Sequence, residues 1–475
     1  MIDVNKSIPV PLFPLYWRLN LAVFNTITID GSLIEKIKSL VEHEDRQTLK
    51  RLIDDMRAAD VADLIEHLRS EERLFIFGLL EPIGAGEVLV EIEPPVQGRI
   101  LKGLDNQAIS EIVKGLNSDD AADVVGDLPT KRAREIIDTV GEDVSEELEK
   151  LLPYAEDTAG GIMALEFIAV KADVTLKDAI ETIRQKRQEV ENLYYLWVVD
   201  DLDRLTGVIS LKDLVLEPPE RKVSRIMNTE VISVNVNADQ EQVVQLVKKY
   251  DLVHIPVVDE HQKLVGRITH DDIIDVIEEE VDEDISRMAG VIDQEVTEES
   301  TLKISRARLP WLIVGLFGGI MAACVIKEFQ LSLEKIIALS FFFPAIMAIG
   351  GNTGIQAATV VVRGLATGDI GLVNVGKRLW MEMRVAFVNG MICGVILGLI
   401  VGFWLSDYRL GGVVALSLVL IVFSSGVIGS AVPLALKKFN IDPALATGPF
   451  VTTSNDILSL IIYLGLVTLF LRVTT

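Results

Sequence analysis

Apolar positions divide the chain at about residue 300. Beyond it run five near-continuous apolar stretches, at 309–329, 336–365, 385–405, 412–436 and 450–471. Each is long enough to cross a bilayer as a helix, which takes about 20 apolar residues. Buried helices of a large soluble protein are the alternative, and five such runs in succession argue against it. Before residue 300 the pattern changes to short amphipathic segments. Over 31–152 these have a helical period with polar breaks. Met56 to Leu64 recurs in kind as Leu116 to Val124, each a polar capping position followed by an amphipathic run. Pro94 and Pro95 mark a break between repeats. Over 153–275, Val198 to Leu214 lines up with Val257 to Ile273 at a constant offset of 59 residues. Each copy predicts an apolar strand, a turn, a second strand and an acid-capped helix.

The predicted architecture is therefore a multidomain α-helical membrane protein. It has an N-terminal extension (1–30), a helical-repeat domain (31–152), two α/β modules (153–218 and 219–275), an acidic connecting helix (276–305) and a five-helix transmembrane domain (306–475). Ile8 to Phe24 is apolar but holds Pro9, Pro11 and Pro14 and lacks a basic leader, so it reads poorly as a signal peptide. A membrane-touching or docking segment and a disordered one both fit it.

Charge sharpens this division. The 475 residues include 45 Lys+Arg and 70 Asp+Glu, net −25. From 301 onward there are 13 basic and 7 acidic residues; the first 300 hold 32 and 63. The acidity thus belongs to the soluble half, which repels nucleic-acid phosphate and attracts cations. Lys303, Arg306 and Arg308 precede the first apolar run. Lys377, Arg378 and Arg384 follow the second, and Lys437 and Lys438 follow the fourth. The other side has Lys327, Lys335, Arg409 and Arg472. The positive-inside rule then predicts a cytoplasmic soluble half and an outside C-terminus in a plasma-membrane protein.

Chemistry enters at three places. The third run carries Gly390, Gly394, Gly398 and Gly402, a smooth ridge where another helix can pack closely. The second run holds Pro344 and then Gly350 to Gln356, with three glycines in seven residues. This predicts irregular backbone lining a cavity, with freed carbonyls beside Asn352, Thr353 and Gln356. The fifth run begins Asp442-Pro443-Ala444 and continues through Thr452 and Thr453 to Asp456, about two turns inside an apolar helix. A charge there costs at least ~2.5 kcal/mol. A protonated or hydrogen-bonded structural carboxylate is one reading; a cation ligand on a conduction path is the favoured one. Hydroxyls, amides, carbonyls and a carboxylate form a hard ligand set, suited to Mg²⁺ or Ca²⁺.

Asp271 to Asp284 forms an acidic run with Ile274, Ile277, Val281 and Ile285 at helical spacing. Its like charges at i and i+4 oppose helix formation by a few tenths of a kcal/mol each. A solvated linker is the plain reading. Between the paired modules and the first span, a switch neutralised by divalent cations is favoured.

Taken together, these features resemble the MgtE magnesium transporters and channels. The resemblance rests on Ser118 to Asp123, on Asp157 to Met163 leading into a repeat that resembles tandem CBS domains, and on the acidic helix. Gly350 to Gln356, and Asp442-Pro443-Ala444 followed by Asp456, complete it. It implies a homodimer with a pore on the two-fold axis, lined by the second and fifth spans. It places Asp456 as the pore Mg²⁺ ligand, with Asn352, Thr452 and Thr453 beside it and Asp442 nearby. It makes the connecting helix a plug held shut by Mg²⁺ at regulatory acids. The matching candidates are Asp239, Glu241, Asp251, Asp272, Asp275, Glu280, Glu283 and Asp284, with Asp119, Asp120 and Asp123 from the helical domain. CBS pairs in some members bind ATP. Gly448 departs from the pattern, because some relatives have a polar side chain there.

Two rival functions are weighed. One is transport of another divalent ion such as Co²⁺, Mn²⁺ or Ca²⁺. The other is a membrane-anchored CBS sensor that transports nothing; an anchor needs neither the glycine-rich second span nor Asp456. An enzyme is not expected, since no Walker loop, nucleophile elbow or metal-histidine motif occurs. Cys324 and Cys393 both lie in apolar runs and offer no thiolate site.

Overall fold

The computed structural model describes residues 29–187, 192–291, 300–366, 375–439, 441–444 and 448–471. The apolar N-terminal segment and Arg472 lie outside them. The chain forms two compact units. One is the chain up to Leu116 with Val124–Val144; the other is Asn117–Asp123 with the chain from Ser145 onward.

The first unit is built from short helices, α1 (Gly31–Glu42), α2 (Arg46–Asp54), α3 (Ala58–Glu66), α4 (Ser70–Phe77), α5 (Pro82–Val90), α6 (Pro94–Gly103), α7 (Asn106–Val113) and α9 (Thr130–Ile137). Among the described residues, three of its acids are side-chain N-caps. Asp30, Asp45 and Asp105 accept the backbone N–H of Leu33, Thr48 and Ala108 at 2.8, 3.2 and 2.7 Å, each satisfying an otherwise orphaned donor. Pro82 and Pro94 open α5 and α6, where a missing N–H costs nothing. Leu49, Ile65, Ile76, Leu89, Ile100 and Ile109 are buried between the helices. Two further helices, α8 (Ser118–Gly126) and α10 (Glu142–Leu151), span the division between units.

In the second unit the 59-residue repeat folds twice in the same way. Strands β1 (Ala169–Lys171), β2 (Tyr195–Val199) and β3 (Leu205–Ser210) form one sheet; β4 (Val234–Asn235), β5 (Ile255–Val258) and β6 (Leu264–Ile268) form the other. In each, the first pair is parallel and the second antiparallel. Even the register irregularity repeats, between Val198 and Val199 and between Val257 and Val258. Helices α11 (Leu176–Gln185) and α12 (Leu211–Leu216) belong to the first copy, α13 (Gln240–Tyr250) to the second. The second copy then leads into α14 (His270–Ala289). Thr269 and Asp272 cap α14 reciprocally, and Gly290 ends it with φ +70°, a left-handed conformation that favours glycine.

The acidic helix therefore starts before 276 and stops at 289, and the next helix begins at Thr301. Its buried apolar residues are Ile273 and Val276; Ile274, Val281 and Ile285, from the expected stripe, are exposed.

The apolar half follows as α15 (Thr301–Glu328), α16 (Gln330–Lys335), a 3₁₀ segment (Ile337–Phe342), α17 (Phe343–Ala366), α18 (Val375–Trp404), α19 (Tyr408–Lys438) and α20 (Pro449–Leu471). Among the described residues, five helices are long and apolar enough to cross a membrane. The glycine ridge of α18 lies on α19: a Cβ at Gly390 would sit 3.1 Å from the Val419 carbonyl, and one at Gly398 2.7 Å from Ala415 Cβ. The second span corrects one expectation. Gly350 to Gln356 is regular α-helix, so its carbonyls are not freed; the irregular backbone lies earlier, in the 3₁₀ segment. The glycines serve contact instead. Helices α17, α19 and α20 approach too closely there for side chains, which is the packing that small residues permit inside a bilayer. Leu339, Phe342, Ile346, Ile421, Tyr463 and Leu464 form the apolar core beside this contact, and Tyr463 Oη donates to the Leu339 carbonyl at 3.1 Å.

Candidate functional site

Asp456 sits two turns into α20, where the helix crosses the glycine seam of α17. A Cβ at Gly351 would meet Thr452 Cγ2 at 3.5 Å and Asp456 Oδ1 at 3.8 Å. The carboxylate thus faces a helix surface with no side chain, and it is only half-buried. Thr452 Oγ1 donates to the Gly448 carbonyl at 3.3 Å, one turn back. The structure separates the other two pore candidates from this seam. The Thr453 methyl lies against Gly318 of α15. Asn352 is exposed on the outer face of α17, with Gln356 one turn on. Thr353 Oγ1 bonds back to the Ile349 carbonyl at 2.8 Å.

A second constellation gathers where the N-terminal turns of α8 and α14 converge. Each first turn carries two acids, Asp119 and Asp120 on α8 and Asp271 and Asp272 on α14, a position where the helix dipole favours negative charge. Glu166 holds the α8 start in place: its carboxylate accepts Ser118 N at 2.9 Å and Ser118 Oγ at 2.8 Å. Burial pushes Asp119 well above the usual carboxylate range, helped by Asp272 and Asp120. Burial, then Asp272 and Asp271, raise Asp120 to about 7. Asp272 is also raised by burial, although its bonds from Thr269 oppose this. Asp275, one turn along α14, adds to the repulsion on Asp120. Arg267 is buried beside them and donates to His254 Nδ1 at 3.2 Å. Burial and then Arg267 hold His254 near 4, so this histidine stays neutral. Glu166, Asp119, Asp272 and Asp271 all act on the charge of Arg267, whose Nε has no hydrogen-bond partner among the described residues, so acids outnumber cations where these helix ends meet.

A third constellation links α13, the far half of α14, the last turn of α19 and the segment before α20. Glu280 accepts Gln240 Nε2 at 2.8 Å. Glu241 pairs with Lys437 at 3.6 Å. Asp442 accepts Arg287 Nη1 at 2.5 Å and the Ala444 N–H at 2.8 Å, and the same guanidinium pairs with Glu283. Burial raises Asp284 to about 6, with Asp442, Glu241 and Glu280 adding to it. Beyond these contacts, the end of α14 meets the start of α20 through backbone. A Cβ at Gly448 would lie 2.9 Å from the Met288 carbonyl oxygen. The carboxylates on α14 thus sit on the same helix whose C-terminus reaches the mouth of the Asp456 helix.

Of the remaining candidates, Asp239 caps α13 by accepting Glu241 N at 2.8 Å. Asp251 ends the same helix, beyond its 11 residues, exposed, with φ 51°. The two lie at opposite ends of α13, so one ion does not join them. Asp123 lies one turn beyond Asp119 and Asp120 on α8. Among the described residues, no three His, Cys, Asp or Glu side chains are placed to hold one ion between them. Pairs of carboxylates fit an ion that keeps several of its waters, as Mg²⁺ does.

Glu166, Arg267 and Arg287 were missed in the sequence; Asp271 was read only as part of the acidic run and Lys437 only as a charge flanking a span. An acid near a capping serine, and basic residues opposite acidic helices, were the only available signals.

Comparison with known proteins identifies the family and its domains. The profile of the MgtE family, a divalent cation transporter, matches residues 343–466. The MgtE intracellular N domain matches 56–157, and the CBS domain matches 159–220 and 223–279. The magnesium transporter MgtE of Thermus thermophilus is 35% identical over 94% of this chain and 100% of its own. That of Bacillus subtilis is 37% identical over 69% of this chain and 73% of its own. A solved cytosolic domain of the Mg²⁺ channel MgtE in complex with ATP is 33% identical. It covers 51% of this chain and 99% of its own, with a TM-score of 0.49. With a full-length relative above 30% identity and family profiles along both halves, the chain belongs to the MgtE family of divalent cation transporters.

Proposed function

We propose that this chain carries Mg²⁺ across the plasma membrane as a homodimer and closes when Mg²⁺ is abundant on the side of its soluble domains, the cytoplasm. Asp456 meets the ion within the bilayer. Its carboxylate and nearby neutral oxygens contact a largely hydrated ion, held weakly enough to leave again. The exposed polar pair Asn352 and Gln356 faces the two-fold axis or a second copy rather than lipid, where unpaired amides are costly. The exposed apolar stripe of α14 serves the same contact.

Regulation follows from charge. Without Mg²⁺ the carboxylates around Asp119, Asp120, Asp272 and Asp275, and those around Glu241, Glu280, Glu283, Asp284 and Asp442, repel and the elements carrying them separate. Bound Mg²⁺ offsets that repulsion and holds α14 down on the start of α20. Asp239 and Asp251 serve the outer ends of this acidic surface. The domain scheme is an N-terminal helical domain to 152, two CBS modules to 275, the connecting helix, and a pore domain from 306. ATP is a second ligand of the CBS pair.

The observation that carries this reading is the single helix α14. It joins both acidic constellations to the backbone contact with Gly448, so a cation at either one acts on the helix that contains Asp456. The test is uptake in a Mg²⁺-transport-deficient cell. Asp456→Ala is expected to abolish Mg²⁺ uptake while the protein stays in the membrane; full uptake would end the pore assignment. Competition by Co²⁺, Mn²⁺ and Ca²⁺ in the same assay ranks the ions that a hard oxygen site can take.

A further inference from the structure

Side chains buried inside a transmembrane helix pack rarely leave hydrogen-bonding groups unused, because each unpaired amide there costs about 2–7 kcal/mol. Two residues of α20 stand out. Asn455 is 0% exposed and Ser459 is 1% exposed. Neither the Asn455 Oδ1 and Nδ2 atoms nor Ser459 Oγ has a hydrogen-bond partner among the described protein atoms. The two lie one turn apart, as do Gly350 and Gly354 on α17, and the pairs face each other. A Cβ at Gly350 would lie 2.5 Å from Ser459 Oγ and 3.5 Å from Ser425 Oγ of α19. One at Gly354 would overlap the Asn455 amide. Ser425 is itself buried, 1% exposed. Polar groups from two helices thus converge on a strip of the third that has no side chains to answer them.

The chemistry of the group decides the ligand. A carboxamide needs an acceptor for Nδ2 and a donor for Oδ1, and the serine hydroxyls can do either. A metal cation satisfies only the oxygens and leaves the Nδ2 donor opposed. Water satisfies both kinds, and buried waters characteristically make two to four such bonds.

We propose that Asn455, Ser459 and Ser425 form an internal water-binding site at the junction of α17, α19 and α20, one residue before Asp456. It lies within a single chain and does not depend on which ion is carried. The helix contact behind the acid is then hydrated rather than dry.

X-ray hydroxyl-radical footprinting of the full chain in lipid nanodiscs tests this, because a bound water generates radicals where it sits. Val451 and Ile421, both 0% exposed, flank the site at Gly354 and Gly350. Val414, also 0% exposed, lies in the apolar core and serves as the dry reference. Labelling of Val451 and Ile421 well above Val414 is expected, falling to the Val414 level in N455L and S459A. Wild-type labelling equal to that of Val414 would overturn the proposal, even if neither variant folds. Thermal stability in detergent gives a second arm. A higher Tm for N455L, the result expected from removing a dry orphan amide, would also overturn it.

Discussion

The contact between Gly448 and the end of α14 allows one sharp perturbation. Gly448 does not have a left-handed backbone, so Gly448→Ala adds a methyl group without backbone strain. That methyl would meet the Met288 carbonyl oxygen at 2.9 Å. The obstacle is backbone, so no rotamer change relieves it; α14 must withdraw from α20 by about half an ångström. Forcing one extra methyl group into a packed contact costs about 1–3 kcal/mol. If the contact belongs only to the closed state, the whole cost falls on closure, and the closed-to-open ratio drops about five- to 150-fold. The assay is Mg²⁺ flux into proteoliposomes, with Mg²⁺ varied on the face that carries the soluble domains. The expected result is a higher inhibitory concentration with the maximal flux unchanged. An inhibition curve that superimposes on the wild type, from protein of unchanged Tm, would refute the idea that α14 closes the path at Gly448.

Other outcomes follow from the same geometry. Asp120 and Asp284 have folded values raised to about 7 and about 6. Their protonated forms therefore favour the packed arrangement fully below pH ~4, and this contribution is lost as pH rises through 6 to 7. In Mg²⁺-free buffer, protease resistance near α14 should fall between pH 5.5 and 8, and saturating Mg²⁺ should flatten that dependence. Arg287→Gln removes the guanidinium shared by Glu283 and Asp442. The pair is partly exposed and contributes about 0.2–1 kcal/mol, so Mg²⁺-free protein should be cleaved up to a few-fold faster at this joint, with Mg²⁺ restoring resistance. Gly429→Ala puts a Cβ 3.0 Å from Gly354 Cα, a backbone clash between α19 and α17. It should lower the Tm in detergent by several degrees, from about 1–3 kcal/mol of overpacking; an unchanged Tm would contradict the close seam.

Where the solvent imposes a rule, the fold was legible in the sequence. A bilayer requires long apolar helices, and all five are where the apolar runs lie. The tandem repeat was equally legible, because each copy must build the same small core; even the irregularity after Val198 recurs after Val257. Glycine was ambiguous for a physical reason. Gly350, Gly351 and Gly354 suit both a broken helix and a close helix contact, and only their neighbours on α19 and α20, some 70 to 110 residues away, decide for contact. The same limit hid Asn455 and Ser459, whose lack of partners is a property of packing. In the acidic half, Asp272 and Asp275 were readable as a dense run of charge. Their meeting with Asp119 and Asp120 needs two helix ends brought together across about 150 residues. Arg267 and Arg287, and the pairing of Lys437 with Glu241, were missed because an acidic run draws attention to the charge it has in excess.

The central claim is that Mg²⁺ both passes Asp456 and closes its own path through the acids on α14. Flux into proteoliposomes, measured as Mg²⁺ is raised on the soluble-domain face, tests it most directly. Wild-type flux should fall as Mg²⁺ rises. With Asp272, Asp275, Glu280 and Glu283 replaced by neutral residues, flux should persist and lose that dependence. Inhibition that survives all four substitutions, or wild-type flux indifferent to Mg²⁺ on that face, would contradict the account.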